Sequence, residues 1–196
     1  MISKILLISI TFFYLTTLAG GFAMADLKDK RIVMIIAKNG FRDEEYREPR
    51  DIFEKNGIKV TVASSSLETS IGMLGAKVKP DILHKEIKVD EYDAVIFVGG
   101  MGSKEYWDDP TSHNIAKGAF AKGKLICAIC IAPVTLSRSG ILDGVRATVY
   151  VSEKDNIKSN GAIYTGKSVE IDGNIITSDG PSSAKEFGKA IIGALK

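Results

Sequence analysis

Both cysteines of the chain lie in one short stretch, Leu125-Ile-Cys-Ala-Ile-Cys-Ile-Ala-Pro133. Cys127 and Cys130 have a C-x-x-C spacing, which suits a redox pair, a metal site, two buried sulfurs, or a single nucleophile. Leu125 to Ile129 is apolar and of strand length. Residues three apart in a strand are separated by about 10 Å at ~3.3 Å each, whereas a disulfide needs Cα atoms within about 7 Å. Structural zinc is no better served, because two cysteines and two distant histidines, His84 and His113, make no ligand cluster. No metal and no cofactor is expected.

Cys130 falls where strand gives way to helix, two residues from the small Ala128 and Ala132. Small-x-nucleophile-x-small is the pattern of a strand-turn-helix elbow, where the sharp turn leaves no room for larger neighbours. Such a turn lifts the side chain above the carboxyl edge of a sheet, where open α/β folds bind ligands. It also aims the sulfur at free N–H groups of a helix start, which lowers a thiol pKa. On pattern alone, simple burial competes with this reading for Cys130. Cys127, inside the strand, is assigned to the core.

A thiolate needs partners. Gly99-Gly100 closes another apolar run, and its backbone N–H groups either hold a developing oxyanion or merely make a tight turn. Asp43, Glu44 and Glu45 open a helix, also at the carboxyl end of a strand. Acids there complement the helix dipole in any protein, and that explanation covers at least two of the three.

The elements that must position these groups alternate between strand and helix. Arg31 to Ala37 is a continuous apolar run suited to a strand covered on both faces. A helix is expected from Glu44 to Asn56, stopped by Gly57, then a strand from Ile58 to Ala63. Ala94 to Val98 is the next strand. Pro110, after Asp108-Asp109, starts a helix to Lys122, and Ala132 to Ser139 is helical after the elbow. Val169–Ile171 and Asn174–Thr177, joined by Asp172-Gly173, read as a hairpin. Ser182 or Ser183 caps a last helix that buries Ala184, Phe187, Ala190, Ile191 and Leu195. Residues 71–90 read as a short hairpin or an excursion. The alternation predicts an α/β fold with a mostly parallel sheet and helices on both faces.

The chain has 196 residues, 45% hydrophobic and 26% charged, with a net charge of +2. Its basic residues are scattered among acids, so no stripe suggests nucleic acid. The amino terminus is different: Lys4 precedes an apolar run from Ile5 to Phe22, then Ala23-Met24-Ala25 and the polar Asp26 onward. This is the pattern of a signal peptide, residues 1–25, cleaved after Ala25, with a retained membrane anchor as the alternative. The expectation is an exported (periplasmic or extracellular) protein, residues 26–196, of one domain, free of the membrane once the leader is removed.

Five stretches in order resemble the ThiJ/PfpI superfamily: Phe41-Arg-Asp-Glu-Glu45, Gly57-Ile-Lys-Val-Thr-Val-Ala63, Val98-Gly-Gly100, Ala128-Ile-Cys-Ile-Ala-Pro133 and Ile171-Asp-Gly-Asn-Ile-Ile-Thr-Ser-Asp-Gly-Pro181. The resemblance covers Lys30 to Leu195. It implies a flavodoxin-like three-layer α/β sandwich, related to class I glutamine amidotransferases, and usually a homodimer. It implies Cys130 as the reactive elbow cysteine and Glu45 as its carboxyl partner. Two negative groups in contact do not both ionise cheaply, so Glu45 is expected neutral and donating to the Cys130 thiolate. Gly99, Gly100 and Ile131 would supply backbone N–H groups.

The departures from the family pattern bear on the activity. Peptidase-like members carry His directly after the cysteine; here it is Ile131, which argues against proteolysis. Deglycase-like members often place a His in the strand matching Ala147–Val151, where this chain has Tyr150, a pocket residue. The expected role is action on a small reactive carbonyl compound or a glycated protein through a hemithioacetal at Cys130. The alternative is a redox sensor or chaperone-like stress protein that uses Cys130 oxidation.

Overall fold

The structure is a computed structural model and describes residues 27–196; the expected leader and Asp26 lie outside them. In chain order the elements are β1 (Arg31–Ile35), β2 (Asn39–Phe41), α1 (Asp43–Lys55), β3 (Lys59–Ser64), β4 (Ser70–Gly72), β5 (Lys77–Val78), β6 (Ile82–Leu83), β7 (Ala94–Phe97), α2 (Pro110–Ala121), β8 (Leu125–Ile129), α3 (Pro133–Arg138), β9 (Arg146–Ala147), α4 (Lys154–Ser159), β10 (Ile163–Tyr164), β11 (Val169–Asp172), β12 (Ile175–Ser178) and α5 (Ala184–Ala194).

Seven strands form the main sheet in the order β11-β12-β8-β7-β1-β3-β6. Every pairing is parallel except the β11–β12 hairpin. The apolar runs occupy the middle because a parallel sheet flanked by helices buries both faces of each strand. Val33, Ile35, Val95 and Ile126 pack with Ile115, Ala119, Val134 and Leu136 of α2 and α3. Ile32, Met34, Ile96 and Cys127 pack on the other face with Phe53 of α1 and Phe187 and Ile191 of α5. The result is the expected three-layer flavodoxin-like sandwich. Burying one such aliphatic side chain is worth roughly 1.5–3 kcal/mol. Among the described residues, no helix is long and apolar enough to cross a membrane.

Residues 71–90 resolve into both expected forms. β4 and β5 make an antiparallel hairpin that joins β2 in a small three-stranded sheet, and β6 then returns to the edge of the main sheet. Asp43 ties the hairpin loop to α1: its carboxylate accepts from the N–H of Leu74 at 2.8 Å and of Ala76 at 2.7 Å.

Two expectations need correction. Ser183 stands before α5 but its side chain caps nothing in that helix; its hydroxyl donates to Asp179 Oδ1 instead. The strand expected over Ala147–Val151 stops at Ala147. Beyond it, the Thr148 N–H donates to Thr177 Oγ1 at 2.9 Å, and the Tyr150 N–H to the Cys130 carbonyl at 2.8 Å. A side chain and the elbow take these donors, so no ladder forms.

Candidate active site

Cys130 is the one non-glycine among the described residues with positive φ, at 63°. A cysteine holds that conformation only where its surroundings impose it. Here its N–H donates to the Ser178 carbonyl at the end of β12 (2.9 Å), and its own carbonyl accepts from Tyr150. Ala128 and Ala132 are buried against this turn, and Pro133 then starts α3 with a preset φ. The side chain is partly exposed, whereas Cys127 is fully buried, and both thiols are free.

Glu45, in the first turn of α1, is wholly buried. Burial pushes its carboxyl up to about 8, against the pull of the Cys130 thiol, the Arg42 guanidinium and the Gly99 N–H. The thiol and the amide approach without closing a hydrogen bond of good geometry, so both carboxyl oxygens are buried without a partner. A carboxyl group in that position keeps its proton at neutral pH.

Gly99 is what allows the contact. A Cβ there would lie 2.5 Å from Glu45 Oε2 and 2.6 Å from Cys130 Cβ. Its N–H is turned toward the carboxyl group without bonding it, while the N–H groups of Gly100 and Ile131 face the sulfur. Of the three backbone donors expected around the thiol, two are thus turned toward it. The helix start alone was expected to lower the thiol pKa, and that expectation is corrected. Burial pushes Cys130 up, the charge of Glu45 adds to it, and the two N–H groups pull only partly back, leaving it at about 12. The sulfur therefore gains its charge most easily while Glu45 is protonated, when the Glu45 charge is absent.

A cavity of about 420 Å³ opens over the pair. Arg42, Met73, Met101, Lys104, Tyr150 and Glu153 are among its walls. The arrangement can add a thiol across a small carbonyl group, steady charge on sulfur or oxygen with two N–H groups, and pass a proton through Glu45.

Residues 30–194 match the DJ-1/PfpI family over almost the whole described chain. The chain belongs to the DJ-1/PfpI family. An uncharacterised protein of Methanocaldococcus jannaschii is 40% identical over 87% of this chain and 85% of its own length. A glutathione-independent glyoxalase of Caenorhabditis elegans is 33% identical over 74% of this chain and 78% of its own. The deglycase PfpI of Pyrococcus furiosus is 27% identical over 84% and 99%. The crystal structure of a ThiJ/PfpI domain protein from Brachyspira murdochii superposes with a TM-score of 0.82 at 33% identity, covering 84% of this chain and 95% of that one.

Tyr150, expected as a pocket residue, lines the cavity. Neither histidine does: His84 Nε2 pairs with Asp109 Oδ2 at 3.1 Å, and His113 Nε2 meets the Trp107 carbonyl at 2.7 Å. Two of the acids of the first turn, Asp43 and Glu44, also have specific partners. Asp43 holds the hairpin, and Glu44 takes a two-pronged ion pair from Arg42 at 2.9 and 3.1 Å. Sequence reading missed Arg42, Met73, Met101, Lys104 and Glu153. Only Arg42, inside the acidic turn, carried a signal; the others come from segments brought over the thiol by the fold. Among the described residues no group of three metal-binding side chains forms.

Proposed function

We propose that this protein is an exported deglycase-like enzyme in which Cys130 attacks reactive carbonyl compounds. The observation that carries the reading is a strained, partly exposed cysteine beside a buried carboxyl group that has no other partner. The glyoxalase and deglycase relatives support the same role.

With methylglyoxal, the sulfur bonds to the aldehyde carbon, the carbonyl π bond breaks, and the thiol proton ends on oxygen as a hemithioacetal. Glu45, holding its proton, gives it to the ketone oxygen while its other carboxyl oxygen takes the proton from the sulfur-bearing carbon, leaving an enediol. It then gives this proton to the former ketone carbon and takes back the one on the first hydroxyl. The first carbon is oxidised to a thioester and the second reduced to an alcohol, so no outside oxidant is required. Water releases lactate and restores the thiol. The N–H groups of Gly100 and Ile131 hold the developing negative charge. Lactate formed by the wild type and by Cys127→Ser, but not by Cys130→Ser, is the expected result; lactate from Cys130→Ser at the wild-type rate would remove the cysteine from the reaction.

A second reading, a stress-sensing thiol oxidised at Cys130, is favoured by the absence of both histidines from the cavity walls. It predicts no lactate from any variant. We further propose that residues 1–25 are removed on export and that the mature chain is a homodimer. Amino-terminal sequencing of native protein and a sedimentation mass test the two statements.

A further inference from the structure

The motif Ser178-Asp-Gly-Pro181 is used only in part by the site above: Ser178 holds the elbow, and Pro181 borders the cavity. The other residues of the motif line a second cavity of about 380 Å³. Tyr150 and Pro181 are walls of both cavities, so the two adjoin. Val149, Tyr164, Asp179 and Gly180 are among the remaining walls of the second.

Tyr150 is fixed where it can divide them. Its N–H is bonded to the carbonyl of Cys130 at 2.8 Å. Its ring lies over Gly180, where an added Cβ would come within 3.3 Å of Cδ2; with φ of 154°, that position suits glycine in any case. Tyr150 therefore borders the thiol cavity and its neighbour at once.

Among the described residues, Asp179 supplies the only charged side chain in the walls of the second cavity. Its Oδ1 accepts from Ser183, and Oδ2 takes no donor from the described residues. A carboxylate with a free oxygen, in a hollow that also presents two tyrosines, repels anions. It would be left without a partner by an apolar occupant. An organic cation satisfies both groups: its charge pairs with the carboxylate and its body lies on the aromatic rings. A guanidinium suits this better than an ammonium, because it is planar, stacks on aromatic faces and offers forked N–H groups to a carboxylate.

We propose that the second cavity is a subsite for a guanidinium group, held by Asp179, Tyr150 and Tyr164. The subsite does not rest on the carbonyl-directed reading of Cys130.

Binding can therefore be measured without turnover. Isothermal titration of the whole chain with N-acetylarginine methylamide is compared with its neutral isostere, N-acetylcitrulline methylamide. The arginine compound should bind about tenfold tighter, from one charge pair plus stacking on tyrosine. Asp179→Asn retains an acceptor for Ser183 and should bring arginine down to the citrulline level; Tyr164→Leu should weaken arginine several-fold. Unchanged Cys130 alkylation rates verify that both variants are folded. Equal binding of the two compounds, no binding of either, or full discrimination in Asp179→Asn would overturn the subsite. Absence of lactate from methylglyoxal alongside normal arginine binding would instead overturn the enzymatic reading and leave the subsite intact.

Discussion

Replacing Glu45 by glutamine should make stability less dependent on pH. The wild-type carboxyl is buried and holds its proton up to about pH 8, against 4.5 for the free group. An acid with a raised folded value keeps its proton in the native chain after the unfolded chain has lost it. Its favourable contribution is complete below the unfolded value and is lost as pH rises through the folded one. Integrating between pH 5 and pH 8 at 1.36 kcal/mol per pKa unit, the wild type loses about 3.5 kcal/mol through this one group. Glutamine keeps the shape and an N–H donor near the sulfur but does not titrate. Urea unfolding of both proteins at the two pH values reads the difference directly. With a slope of roughly 1–3 kcal/mol per molar urea, the wild-type midpoint should fall by about 1–3 M more than that of the variant. Equal pH dependence in the two proteins would refute a buried, protonated Glu45.

Iodoacetamide should label Cys130 and leave Cys127 unmodified in the native protein, because Cys127 is fully enclosed between β8 and α5; peptide mapping that finds Cys127 labelled first would misplace the elbow. Labelling of Cys130 should speed up with rising pH, since burial and the Glu45 charge push its thiol up. Asp43→Ala should cost about 2–4 kcal/mol in thermal unfolding by orphaning two backbone donors, with faster amide exchange at Leu74 and Ala76 than elsewhere in the chain. Unchanged exchange at those two amides would mean the hairpin is held by something else.

The layers of the fold were legible because buried parallel strands leave long apolar runs, as in Arg31–Ala37 and Leu125–Ile129, with glycines after the helices. The elbow was legible because its geometry demands small residues at fixed distances from Cys130. What could not be seen was whatever depends on approach from afar. Asp43 looked like a dipole acid because its partners, Leu74 and Ala76, lie in a loop 31 and 33 residues away. The thiol looked activated because sequence shows the helix start next to it but not the burial that outweighs it. Ser183 looked like a cap because a hydroxyl before a helix usually is one; Asp179, four residues earlier, competes for the same group. The strand at Ala147–Val151 failed for a related reason, since Tyr150 is drawn to the carbonyl of Cys130.

The most direct test of the account is the fate of methylglyoxal on Glu45→Gln at neutral pH, followed by intact-mass spectrometry and lactate assay together. If Glu45 passes the proton between the two carbons, the variant should still take up one methylglyoxal on Cys130, as the wild type does, yet release no lactate. Lactate from Glu45→Gln at the wild-type rate would contradict the proton-carrying role assigned to Glu45.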